Sequence, residues 1–185
     1  TPLKAEDVFV FKVVICDNKI DRVGDVMTDE ALEAIAEKSK SLVGVKDHDW
    51  NSENSFARLY DAEVVADGAV NEDNGLHHKY VLGKAYTLRR FEDFVEKINS
   101  GILKEVSISF SSHGDTCSIC GAKTSKREDD RAVCENGHVA LDVYDGVTCT
   151  NLVAGVDDTF EWSFVAVPCQ RCAGVKAKKL GGTII

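Results

Sequence analysis

Val106-Ser107-Ile108-Ser109-Phe110 alternates apolar and hydroxyl side chains without a break. Successive side chains of a strand point to opposite faces. Val106, Ile108 and Phe110 therefore share one face, and Ser107, Ser109 and Ser111 share the other. The spacing predicts a strand over residues 103–111 with an apolar back and a serine front. An ordinary half-exposed strand has the same pattern. Period two does not choose between Ser107 and Ser109, which point the same way.

Strand signals extend outward from this segment. Val8–Ile15 is an apolar, β-branched run and reads as a buried strand. Thr28 is placed as an N-cap, with Asp29 and Glu30 in the first turn of an amphipathic helix over 29–40. Further strands are expected at 41–45, 57–65, 78–85 and 159–167, the last stopped by Pro168. Asp67-Gly68 and Asn74-Gly75 are turn dipeptides between them. Thr87 is expected to cap a second helix whose face carries Leu88, Phe91, Phe94, Val95 and Ile98, ended by Gly101. Many short strands and two flanking helices describe an α+β, mainly β domain, a small barrel in its simplest form. Residues 1–111 and 159–185 form the expected core, and residues 112–158, poor in apolar periodicity, form an insertion.

The bulk numbers agree with one domain plus an insertion. The chain has 185 residues, 44% hydrophobic and 29% charged. A net charge of -9 argues against nucleic-acid binding, which needs a basic face. The weak run Lys176, Lys178 and Lys179 reads as a solvated tail. No segment approaches the roughly 18 apolar residues of a membrane span. Thr1-Pro2 reads as a trimmed start and Gly181-Gly182-Thr183-Ile184-Ile185 as a truncation or processing end. The cysteines number seven, an odd count that rules out a complete disulfide framework within one chain and points to metal or free thiols in a reducing compartment.

Two other segments bear on chemistry. Asp47-His48-Asp49-Trp50 follows the apolar Leu42–Val45 and places a histidine at a strand end. A surface turn would look the same. Glu161 stands in Phe160-Glu161-Trp162-Ser163-Phe164, an otherwise apolar strand, so a buried carboxylate there needs a partner. His48, Ser107 and Glu161 supply the base, nucleophile and orienting carboxylate of a serine hydrolase. His77, His78 and His113 lack such surroundings and read as incidental.

The insertion carries Cys117-Ser118-Ile119-Cys120-Gly121 and, with thirteen residues intervening after Cys120, Cys134-Glu135-Asn136-Gly137-His138. Two thiolates on a tight turn, then Cys and His, match a tetrahedral Cys₃His zinc site. Such a site would be structural, since the protein fills all four positions, and metal binding would supply the folding energy of a core-poor segment. Cys169-Gln170-Arg171-Cys172 is a second Cys-x-x-Cys that competes for pairing with Cys117 and Cys120, or forms a redox pair, or is simply buried. Cys16 and Cys149 read as core residues.

Together these segments resemble the prohead proteases of tailed phages, which share a fold with the herpesvirus assemblin proteases. Asp21-Arg22-Val23-Gly24-Asp25-Val26 resembles the family's early Asp-rich turn. Asp47-His48-Asp49 followed by Ala57-Arg58-Leu59 resembles its histidine motif, and Gly101–Phe110 its "Gly…Leu-Ser-Ile-Gly-Phe" motif. Glu161-Trp162-Ser163-Phe164-Val165, ending at Pro168, resembles its "Glu-x-Ser-Leu-Val…Pro-Ala" motif. The resemblance covers about residues 8–110 and 159–175. Ser109 stands where the family has Gly, and Cys169 where it has Ala.

The resemblance implies an assemblin-like β-barrel; the zinc-ribbon-like insertion is read from the cysteine spacing, and the family core needs no such insert. It implies a serine endopeptidase with Ser107 as nucleophile, His48 as base and Glu161 as the third member. Ser109 is the rival nucleophile. The expected substrates are scaffold and major capsid precursor proteins inside the immature phage head, in the host cytoplasm, with self-association compatible. Two other readings remain. One is a non-catalytic zinc-binding scaffold module of the phage head. The other is a metal-dependent hydrolase using His48, Asp47 and Asp49.

Overall fold

The computed structural model describes residues 3–176. The start Thr1-Pro2, Lys178 and Lys179, and the tail Gly181–Ile185 lie outside the described residues. The described chain is mainly β, with a curled half-barrel sheet and two α-helices. The strands are β1 (Val8–Asp17), β2 (Asp25–Met27), β3 (Val43–Lys46), β4 (Ala57–Val70), β5 (His77–Leu88) and β6 (Val106–His113). Then come β7 (Thr116–Cys117), β8 (Thr124–Glu128), β9 (Arg131–Cys134), β10 (Val143–Tyr144), β11 (Val147–Thr148), β12 (Asn151–Val153), β13 (Gly155–Phe164) and β14 (Gly174–Val175). Helix α1 is Asp29–Lys38 and α2 is Glu92–Asn99.

Seven strands form the main sheet in the order β14-β1-β5-β4-β3-β13-β6. Its two end strands approach each other through a bridge between Glu105 and Gly174, which curls the sheet towards closure. Phe11, Trp162, Phe164 and Phe94, each ring in contact with another of the set, belong to one core cluster that also takes Leu32 and Ile35 of α1, both fully buried. Gly44 makes room at this point: a Cβ there would stand 2.6 Å from the Trp162 ring. The missing side chain lets β3 lie against β13, which sets where the chain after β3 emerges. No helix among the described residues is long and apolar enough to cross a membrane.

Most expected elements are present with shifted ends. Thr28 Oγ1 accepts from Ala31 N, so α1 is capped as its sequence suggests. The second helix starts later than expected. Thr87 belongs to β5, paired with Phe9 and Ala57, and its hydroxyl donates to Phe56 O. Two neighbouring strands outcompete the cap, because each satisfies backbone groups that a helix start would leave open.

Strands β7–β12 lie in the cysteine-rich stretch. A three-stranded sheet β2-β12-β7 ties this stretch to the Asp-rich turn at 21–25. Asp25 is the anchor: it takes Arg127 at 2.7 Å and the Asn151 amide at 2.8 Å. Burial raises its carboxyl above the usual range, against the pull of Arg127.

Candidate functional site

The register of β13 on β6 assembles one end of the site. Glu161 lies across from Ser109, and Ser163 across from Ser107. Directly opposed residues share a face, so these four side chains form a patch, while Trp162, Ile108, Phe164 and Val106 turn to the core. Glu161 is 2% exposed.

The histidine arrives from the other side of β13. Strand β3 pairs parallel with β13, and beyond Lys46 the chain stays attached: Asp47 N–H donates to Phe164 O (2.9 Å) and His48 N–H to Ser163 Oγ (2.9 Å). Asp47 and His48 both adopt φ +53, two successive non-glycine residues in the left-handed region. That conformation costs roughly 1–2 kcal/mol per residue. Asn54 holds the turn from outside by donating to Lys46 O and Asp49 O. The strain re-aims the imidazole onto the patch, where His48 Nδ1 lies 2.7 Å from Glu161 Oε1.

Proton placement follows from these contacts. A carboxylate oxygen only accepts, so Nδ1 carries the hydrogen and Nε2 is the nitrogen left basic. Ser109 Oγ lies 3.1 Å from Nδ1 and 2.5 Å from Glu161 Oε1. Its hydroxyl donates to the carboxylate, because a protonated Nδ1 has no lone pair to offer it. Among the described residues Ser107 Oγ makes no hydrogen bond. The geometry thus brings His48, Glu161 and Ser109 into contact and sets Ser107 one residue pair along the same face.

Ser163 carries no chemical signal of its own in the sequence. It is fully buried, and its oxygen receives the His48 backbone N–H. Period two from Glu161 already placed it on the same face.

The second cluster is separate. Cys117 Sγ, Cys120 Sγ, Cys134 Sγ and a His138 ring nitrogen all lie within 4.8 Å of one another, a Cys₃His group able to hold a metal ion. Cys120 and Cys134 sulfurs are 3.8 Å apart, and His138 Nδ1 is 3.3 Å from Cys120 and 3.6 Å from Cys117. A tetrahedral zinc with Zn–S near 2.3 Å would give edges of about 3.8 Å. Two tight turns build the group. Gly121 N–H closes the first on Cys117 O, and Gly137 N–H closes the second on Cys134 O.

The Ala122 N–H, with the Asn136 amide, lowers the Cys120 thiol to about 6. Burial works to raise Cys117, but the N–H groups of Cys120 and Ile119 outweigh it and bring it down. The first turn is thus prepared to present thiolates.

Cys149 is buried as expected, but its sulfur lies 3.6 Å from that of Cys117, directly beside the quartet. Burial, with Cys117 alongside, pushes its thiol up to about 12. Cys169 and Cys172 lie elsewhere: Cys169 Sγ donates to Asp21 and Cys172 meets Lys19. His78, read as incidental, lies between two carboxylates, with Nδ1 2.8 Å from Asp67 and Nε2 3.5 Å from buried Asp17.

No protein-family model, curated protein sequence or solved structure matches the chain.

Proposed function

We propose that the protein is a serine endopeptidase working through Ser107, His48 and Glu161, with the His48 Nδ1–Glu161 contact of 2.7 Å as the observation that carries the reading. A buried carboxylate on Nδ1 fixes the tautomer that leaves Nε2 as general base, and stabilises the imidazolium formed in the reaction. Nε2 would take the proton of Ser107 as its oxygen attacks the scissile carbonyl, then return it to the leaving amine. Backbone N–H groups would hold the developing oxyanion. Ser109, donating to Glu161, would steady the carboxylate rather than react. The motif resemblance extends this to cleavage of scaffold and capsid precursors inside a phage prohead.

The Cys₃His group is assigned to structural zinc. Three sulfurs and one imidazole suit that ion, and four protein ligands leave no open position for catalysis. The tests are incubation of the full chain with a diverse peptide library, read by mass spectrometry, and metal analysis. Cleavage by the wild type that vanishes in Ser107→Ala is the expected result. Equal activity of that variant removes the triad, and a zinc-bearing chain with no cleavage at all favours a non-catalytic scaffold module.

A further inference from the structure

Two exposed aromatic rings, carried by residues close in sequence to His48 and Glu161, meet at the surface. Trp50 is 68% exposed and Phe160 is 45% exposed, yet their ring centroids lie 5.7 Å apart, tilted by 45°. Trp50 follows His48 by two residues, and Phe160 immediately precedes Glu161. The chain's other tryptophan, Trp162, is fully buried.

Phe160 owes its position to an irregularity in β13. Glu161 opposes Ser109 and Thr159 opposes Phe110, so Phe160 is the extra residue of a bulge with no partner across the ladder. Strict alternation from Trp162 would send Phe160 to the core. The bulge instead turns it out, and its contact with Trp50 shows that it emerges on the histidine's side. Bulges beside functional sites commonly re-aim one side chain in this way. Leaving two large rings uncovered costs burial that either could find in the core. Lys46, the nearest cation in sequence, is committed elsewhere, with Nζ 3.7 Å above the Phe56 ring.

We propose that Trp50 and Phe160 form a specificity subsite that takes a bulky apolar side chain of the polypeptide substrate. The proposal rests on the hydrolase reading above and names its substrate class. Flat, rigid rings offer large apolar area at small entropic cost, which is why aromatic residues dominate recognition sites. A side chain seated there would be held next to both His48 and Glu161, so its binding would position the scissile bond. A cationic side chain is the competing occupant, since aromatic faces also attract cations.

Two measurements on the full chain decide the matter. In the first, the indole N–H signals of Trp50 and Trp162 are followed by NMR, assigned with Trp50→Phe. The probes are N-acetyl-leucinamide, N-acetyl-phenylalaninamide and N-acetyl-lysinamide. The expected result is a saturable shift of Trp50 alone, with the lysine amide at least tenfold weaker and Phe160→Ala weakening the apolar amides. No saturable shift, or preference for the lysine amide, overturns the subsite.

In the second, a peptide library is cleaved by the wild type and by Trp50→Ala, with melting temperatures compared. A bulky apolar residue should be enriched at one fixed position from the cut. Trp50→Ala should lower kcat/KM on those peptides at least tenfold and erase the enrichment without altering stability. Unchanged enrichment refutes the subsite while leaving the hydrolase standing. No cleavage above the Ser107→Ala background counts against the hydrolase, and the NMR titration still decides whether the rings bind.

Discussion

Ser109 and Glu161 face each other across the β6–β13 pair, and the Ser109 hydroxyl donates to the same carboxylate oxygen that holds His48 Nδ1. One oxygen therefore carries two donors, and the serine that lies against the imidazole ring is hydrogen-bonded to the carboxylate. That geometry distinguishes the surroundings of two serines that period two alone leaves equivalent.

Glu161→Gln tests the carboxylate. A glutamine amide keeps the volume but carries no charge to stabilise the imidazolium, and with its NH₂ turned towards His48 it selects the opposite tautomer. Peptide cleavage should fall by about 10³–10⁴-fold, as expected for loss of an orienting carboxylate. Measured kcat within tenfold of the wild type would show that Glu161 only packs.

Ser163→Ala removes the acceptor for the His48 N–H and leaves the strained turn less well held. An unsatisfied backbone donor costs about 1–3 kcal/mol. In a chain of this size each kcal/mol shifts the melting temperature by about 2–4 °C. A fall of several degrees by calorimetry is expected, together with lower kcat because the imidazole drifts. An unchanged melting temperature would mean that the turn stands without this bond.

Gly44→Ala places a methyl against the Trp162 ring, which is fully buried and has no room to retreat. Overpacking of this kind costs about 1–3 kcal/mol. Thermal denaturation should show the loss, and β3 should shift off β13. A neutral result would mean that the sheet yields there without cost.

Metal content follows from the quartet. About one zinc per chain is expected by elemental analysis, lost in Cys134→Ser but retained in Cys149→Ser, because Cys149 lies outside the four ligands. Stripping the metal should raise hydrogen exchange across β7–β12 first, since structural zinc carries the folding energy of such modules. Protection in α1, β4 and β5 should persist. Metal loss in Cys149→Ser would make that thiol a ligand.

Parts of this arrangement were legible in the sequence. Strict alternation gave the two faces of β6, and the Thr28 cap and Gly101 stop marked helix ends. Cys-x-x-Cys and Cys-x₃-His, each on a tight turn with glycine, named the four residues that gather into the Cys₃His group. What stayed hidden depends on pairing between distant strands. Thr87 looked like a cap because its own helix signal was local, while β1 and β4 lie far away in sequence. The bulge at Phe160 fixes which serine meets Glu161, and no composition signal marks it. Cys149 has no Cys-x-x-Cys partner, and only the pairing of β12 with β7 brings its neighbourhood to Cys117.

The most direct measurement is the site of covalent modification by a fluorophosphonate, which labels a serine only when a base has activated it. The full chain is treated under native conditions and the adduct located by tandem mass spectrometry. The expected adduct is on Ser107, persisting in Ser109→Ala and lost in Ser107→Ala and His48→Ala. Labelling confined to Ser109, or no labelling above the denatured chain, would contradict the assignment of Ser107, His48 and Glu161.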